Sequence, residues 1–118
     1  MVKKIYCLST CSTCKAIIKE IEASKKGFQL QDIQSEPISA AQLDAMKELA
    51  GSYEVLFSRR ARKYREMGLQ DKKLTEKEYR DLILQEYTFL KRPVVILGKK
   101  LFAGSEKKTL EYLNKAVR

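Results

Sequence analysis

Apolar and polar positions change period along this chain, and each change marks an element. Residues 4–8, Lys-Ile-Tyr-Cys-Leu, form a short β-prone run stopped by Ser9 and Thr10, which predicts a buried strand. From Ser12 the period becomes helical: Cys14, Ile17, Ile18 and Ile21 share one face, charged residues fill the other, and Gly27 supplies a stop. This spacing predicts a helix of about four turns. Phe28, Gln29, Leu30 and Gln31 alternate apolar and polar before Ile33, a second strand, which Ser35-Glu36-Pro37 turns outward. Ser39 with Gln42, and later Thr75 with Glu78, have capping-box spacing. Behind the first lie Leu43, Met46, Leu49 and Ala50, ended by Gly51; behind the second lie Tyr79, Leu82, Ile83 and Tyr87. The basic stretch Arg59–Arg65 between them is predicted helical, ending at Gly68. Pro93–Leu97 is again an apolar strand, Gly98-Lys99 a hairpin turn, and Leu101–Ala103 its partner, closed by Gly104. A last helix starts near Ser105 and carries Leu110, Leu113 and Val117 inward.

The predicted order is β-α-β, several helices, then β-β-α, without repeats or low-complexity linkers. This describes a single α/β domain over residues 1–118, long enough for one hydrophobic core. Apolar residues make up 44% and charged residues 33%, the balance of a soluble globular protein. No apolar run approaches the roughly 20 residues of a membrane span, and the basic start lacks a signal-peptide core, so a cytoplasmic location without membrane contact is expected. There is no histidine. That excludes an imidazole base, a Cys-His or Ser-His pair and a His-ligated metal, leaving cysteine, carboxylate, arginine and lysine to carry any chemistry. The net charge of +9 favours anionic partners or serves solubility.

Three cysteines stand at 7, 11 and 14. Cys11-Ser12-Thr13-Cys14 is a C-x-x-C between a strand and the first turn of a helix. Free backbone N–H groups and the positive end of the helix dipole there favour a thiolate. Cys11 lies at the open end and is the expected nucleophile; Cys14, one turn inside, reaches back to resolve, giving a reversible disulfide. Three other readings stand beside this one: a zinc site, for which only Cys7, Cys11, Cys14 and a carboxylate are available; a permanent structural disulfide; and plain core cysteines. Cys7, inside the strand, reads as a core residue, with an accessory redox role as the alternative.

Arg92 precedes Pro93 at the opening of the third strand. Proline at a strand entry is tolerated for structural reasons alone. The β-α-β then β-β-α order, however, matches a thioredoxin-like fold with residues 39–87 as a helical insertion between the halves. In that arrangement the proline is cis and its loop faces the C-x-x-C. Arg92 would then lie beside Cys11, steadying its thiolate and holding an oxyanion bidentately. Arg59, Arg60, Arg62, Lys63 and Arg65 read either as a solvated face or as a contact for an anion or an acidic protein. No aromatic interleaving accompanies them, so direct nucleic-acid binding is not expected.

Ile5-Tyr6, the Ser9–Lys15 segment with Cys-Ser-Thr-Cys-Lys, Tyr64-Arg65-Glu66-Met67-Gly68-Leu69, and Leu90-Lys91-Arg92-Pro93-Val94-Val95 occur in an order and spacing that resembles the glutaredoxin-type arsenate reductase (ArsC) family, including the Spx regulators. Ser35-Glu36-Pro37-Ile38-Ser39 and Ser58-Arg59-Arg60 are particularly similar to Spx-like members. The resemblance implies a thioredoxin-like fold, a cytoplasmic location, and Cys11 as nucleophile with Arg92 beside it. Carried onto this chain, it puts Cys11 and Arg92 in the catalytic set and Arg60, Ser12, Thr13 and Pro93 in the anion- or substrate-binding set, with no metal and no bound cofactor; Cys14 joins the catalytic set through the C-x-x-C spacing and departs from members that rely on external glutathione. The family's further arginine after the hairpin is missing, since the segment reads Leu101-Phe102-Ala103-Gly104, which counts against arsenate turnover.

Two function classes follow. One is a thiol-dependent oxidoreductase acting on a small oxyanion or a disulfide, with glutathione, glutaredoxin or thioredoxin as external reductant. The other is an Spx-like redox-sensing regulator that binds the C-terminal domain of the RNA polymerase α subunit. The end of the chain at Arg118, without the longer tail of Spx regulators, favours the first.

Overall fold

The computed structural model describes residues 2–117. Four strands form one sheet in the order β2-β1-β3-β4: β1 Lys3–Cys7, β2 Gln29–Asp32, β3 Val94–Leu97 and β4 Lys100–Ala103. β1 pairs parallel with β2 and antiparallel with β3, and β3 pairs antiparallel with β4 through the two-residue turn at Gly98-Lys99. Gly98 takes φ 63, the left-handed conformation such a tight turn demands. Cross-strand register puts Leu30, Ile5, Val95 and Phe102 in one row. α1 (Ser12–Glu20) and α6 (Lys107–Val117) cover that face: Cys14, Ile17 and Leu113 join Ile5, Cys7 and Val95 in one buried cluster. Each large aliphatic side chain withdrawn from water in this way contributes about 1.5–3 kcal/mol before the entropy of ordering is subtracted.

These strands and α1 and α6 belong to a compact unit formed by the chain up to Pro37 and from Arg92 onward; a second compact unit spans Ile38–Lys91. The second unit contains α2 (Ala40–Ala50), α3 (Tyr53–Leu56), α4 (Arg62–Glu66) and α5 (Glu76–Gln85). Both capping boxes form: Ser39 with Gln42 opens α2, and Thr75 with Glu78 opens α5. Phe57 stacks on Phe89 with ring centres 5.0 Å apart and meets Tyr79 at 4.9 Å, making an aromatic centre for this unit. Asp44 on α2 accepts from both Arg80 on α5 (2.8 and 3.2 Å) and the Tyr53 hydroxyl (2.6 Å). The Arg80 hydrogen bonds hold its carboxyl down at about 2.

Two local expectations need correction, and one short helix has no counterpart in the sequence reading. The first helix ends at Glu20 rather than continuing to Gly27. Ala23 N–H donates to Ile18 O and Glu22 N–H to Lys19 O, both at 3.1 Å, the paired bonds of a Schellman stop, with Glu22 in the left-handed region at φ 54. The stop buries Ile21 and Ala23 (1% exposed each) against the core, which a straight continuation would not do. The basic helix starts only at Arg62, because Arg59 and Arg60 occupy the turn before it. α3 carries no periodicity long enough to read; Ser52, whose hydroxyl accepts from Val55 N–H at 3.2 Å, is its one local signal.

Candidate functional site

Cys11 is the N-cap of α1, in extended backbone with φ −88 and ψ 113, so its sulfur stands at the end of the helix where the first amides have no helical partner. A turn closed by Cys11 N–H donating to Leu8 O at 3.0 Å brings the chain from the end of β1 into this position. Ser12 and Thr13 are the exposed first residues of α1, while Cys14 faces inward and is fully buried. The three cysteines are free thiols, and Cys11 packs half-buried against the cluster containing Cys7 and Cys14.

Their environments separate them chemically. Burial works against ionisation of Cys11, but the amides of Cys14 and Thr13, the Cys14 thiol and the positive charge of Arg92 outweigh it, and its pKa falls below that of an ordinary cysteine. The Cys11 side chain closes no cap hydrogen bond in the resting thiol, so these groups act mainly by stabilising the anion once it forms. Cys14 is pushed up to about 12, first by burial and then by its own hydrogen bond to Cys11 and the charges of Cys11 and Cys7, against one opposing backbone hydrogen bond at Leu8. Cys7 is also raised, by burial and then by the charges of Asp32 and Cys11, and its thiol donates to Gln31 O at 3.7 Å.

Arg92 and Pro93 belong to the same unit as the cysteines. Their peptide bond is cis, Pro93 is buried, and Pro93 O accepts from Gly104 N–H at 2.9 Å, which ties the loop to the end of β4. Arg92 is half-buried, and its charge reaches Cys11.

Arg60 lies in the second unit. Its neighbour Arg59 is already engaged, donating to Glu54 at 2.8 Å and to the Tyr79 hydroxyl at 2.9 Å, and Lys63 pairs with Glu86 at 2.7 Å. Of the basic run, Arg60, Arg62 and Arg65 make no ion pair among the described residues, and they line a recess of about 470 Å³. No local pattern divides the run this way, since Glu54, Tyr79 and Glu86 meet it only through tertiary packing. The nearness of Cys7 to the other two thiols was likewise hidden; its one signal was the i, i+2 alternation that puts Ile5 and Cys7 on the helix-facing side. No group of three or more metal-ligating side chains gathers among the described residues, and none of the described helices is long and apolar enough to cross a membrane.

The sequence model of the ArsC family matches residues 6–113. The chain belongs to the ArsC family. Among its relatives is the uncharacterized protein YusI of Bacillus subtilis (strain 168), 28% identical over 109 residues, covering 90% of this chain and 92% of YusI. The global transcriptional regulator Spx of Lactiplantibacillus plantarum is 22% identical over 116 residues, covering 97% and 88% of the two chains. Among solved structures, the arsenate reductase from Vibrio cholerae superposes with a TM-score of 0.76 over 98% of each chain at 15% identity, a likeness of fold. The ArsC-family chain thus has the thioredoxin-like architecture, with its C-x-x-C opening α1 after β1 and its cis-proline before β3.

Proposed function

We propose that this ArsC-family protein is a thiol-disulfide oxidoreductase in which Cys11 attacks and Cys14 resolves. The observation that carries the reading is the placement of the two thiols, Cys11 half-buried at the N-cap of α1 and Cys14 one turn inside and fully buried, which lowers the first and raises the second. The Cys11 thiolate attacks one sulfur of a disulfide substrate, forming a mixed disulfide and expelling the other half as a thiolate. Bonding at Cys11 removes its negative charge, and with it two of the influences that hold the proton on Cys14. Cys14 then attacks Cys11 Sγ, its proton passing to the second thiolate as that group departs; the substrate has gained two electrons and the Cys11–Cys14 pair has lost them. An external thiol of the glutathione, glutaredoxin or thioredoxin type restores the dithiol. Ser12, Thr13, Pro93 and Arg92 make the substrate-facing wall, Arg92 being the group suited to an anionic substrate. Arsenate is the less favoured substrate, because residues 101–104 carry no arginine.

Purified protein is to be assayed with a mixed disulfide of glutathione and a small thiol, and with arsenate, using glutathione or thioredoxin as reductant. Cys11→Ser should abolish turnover. Cys14→Ser should trap a mixed disulfide on Cys11, detected as an added mass. Labelling of Cys7 before Cys11 at pH 6.5, or an intramolecular disulfide surviving in Cys14→Ser, would overturn the assignment.

A second reading is supported by the similarity to a transcriptional regulator over nearly the whole chain. Here the same cysteine pair is a switch, and the partner is the C-terminal domain of the RNA polymerase α subunit. Retention of that domain by immobilised protein, altered by oxidation and unaccompanied by turnover, would favour the regulator.

A further inference from the structure

A groove of about 740 Å³ runs along the flank of the first unit, between α1 and the edge strand β2. It contains neither Cys11 nor Arg92. We propose that this groove binds a small amphipathic anion, a molecule with an apolar body and a carboxylate or sulfonate head.

The floor is apolar for a reason visible in the sheet register. In the row Leu30–Ile5–Val95–Phe102, Ile5 is 0% and Val95 1% exposed, whereas Leu30, on the same face, is 53% exposed. α1 leaves it uncovered because the helix stops at Glu20, and the left-handed Glu22 carries the chain through turns along the groove's edge. Leu30, Ile18, Leu8 and Cys7 therefore form a continuous apolar lining beside the sheet edge. A leucine held on a core-facing row without a cover is the feature that an apolar ligand would complete. The volume falls within the roughly 300–1,000 Å³ of small-molecule pockets.

The rim selects the charge. Lys15, Lys19 and Lys25 line it, and none makes an ion pair among the described residues. Two carboxylates share the lining, Glu22 and Asp32; Asp32 stays charged, held by the Ser9 hydroxyl at 2.6 Å and Gln34 N–H at 3.0 Å, so the three lysines leave the lining with one positive charge in excess. The lysines' flexible stems can lie along the apolar wall while their ammonium groups reach a head group at the mouth.

The test is a titration with 8-anilinonaphthalene-1-sulfonate and, separately, with dodecanoate below its micellar concentration. Binding is followed by fluorescence for the first and by amide NMR shifts for both. The expected result is one saturable site, with shifts gathered in residues 7–9, 15–25 and 29–32. Leu30→Asp should weaken binding by roughly tenfold or more, and the Lys15→Glu, Lys19→Glu double variant by about tenfold, a loss near 1.4 kcal/mol. Inorganic sulfate, which lacks the apolar body, should not compete. Absence of saturation, shifts centred on Arg59–Glu66, competition by sulfate, or full affinity in both variants with their folds intact would each overturn the proposal. Because Leu30 is exposed, its replacement should leave the melting temperature nearly unchanged; if it does not, the lysine variant decides. Failure here leaves the thiol chemistry untouched, since Cys11 reactivity is read separately.

Discussion

Cys11 and Cys14 stand one helical turn apart, yet one faces the open end of α1 and the other the core, and Arg92 bears on the first. A point charge at position 92 would lower the Cys11 thiolate's energy almost as well as a guanidinium does. Only the planar fork of arginine adds a two-point grip on an anionic substrate. Arg92→Lys should therefore fold normally and shift the pH midpoint of Cys11 alkylation only slightly. Its turnover of an anionic substrate should fall by about a hundredfold, equivalent to about 3 kcal/mol in the transition state. Steady-state rates together with the alkylation profile check this; unchanged turnover would remove Arg92 from the site.

At the scale of the element, the helix ends carry energies that single substitutions can read. Thr75 Oγ1 accepts from Glu78 N–H at 3.2 Å and Glu78 Oε1 accepts from Thr75 N–H at 3.0 Å. Thr75→Ala removes the hydroxyl that accepts from Glu78 N–H while the backbone N–H of residue 75 still donates to the Glu78 carboxylate, and the lost cap should destabilise the protein by about 1 kcal/mol in urea unfolding. The stop of α1 runs the other way. Glu22 holds φ 54 without being glycine, a conformation costing roughly 1–2 kcal/mol for a residue with a β-carbon. Glu22→Gly relieves that strain while adding freedom to the unfolded chain, so a net gain of roughly 0.5–1 kcal/mol is expected, seen as a higher urea midpoint.

For the whole molecule, the raised thiols set an alkaline limit. In the unfolded chain a cysteine loses its proton near about 8.5. Folded, Cys14 keeps its proton to about 12, chiefly because it is buried, and Cys7 is raised for the same reason. The native state therefore binds more protons than the unfolded state between those values, and stability falls as pH rises through that window. Below about 8.5 the contribution is complete. Urea midpoints measured from pH 7 to 10.5 should decline in the alkaline half, and Cys14→Ala should flatten the decline. A slope identical in the variant would show that Cys14 does not govern it.

Ser39, Thr75, Gly98 and the placement of Cys11 at a helix start were legible in the sequence because each depends on residues within a few positions of one another. A cap needs its partner three residues on, a hairpin turn needs its glycine, and an amphipathic stripe needs only its own period. The strand-helix-strand and hairpin-helix halves, and the family resemblance, were readable on the same footing. The end of α1 was not, because Glu22 is a poor left-handed residue by local preference and is held there by the burial of Ile21 and Ala23. In β2 the apolar Leu30 is exposed and the polar Gln31 is 3% exposed, an inversion that follows from where β2 sits in the sheet order and from how far α1 reaches. Which arginine of the basic run is bound and which is left open likewise depends on Tyr79, twenty residues from Arg59. Local hydrogen bonding and periodicity determined the elements; the exposure of Leu30, the partners of Arg59 and the division of labour between two thiols were decided by contacts that exist only after distant segments have packed.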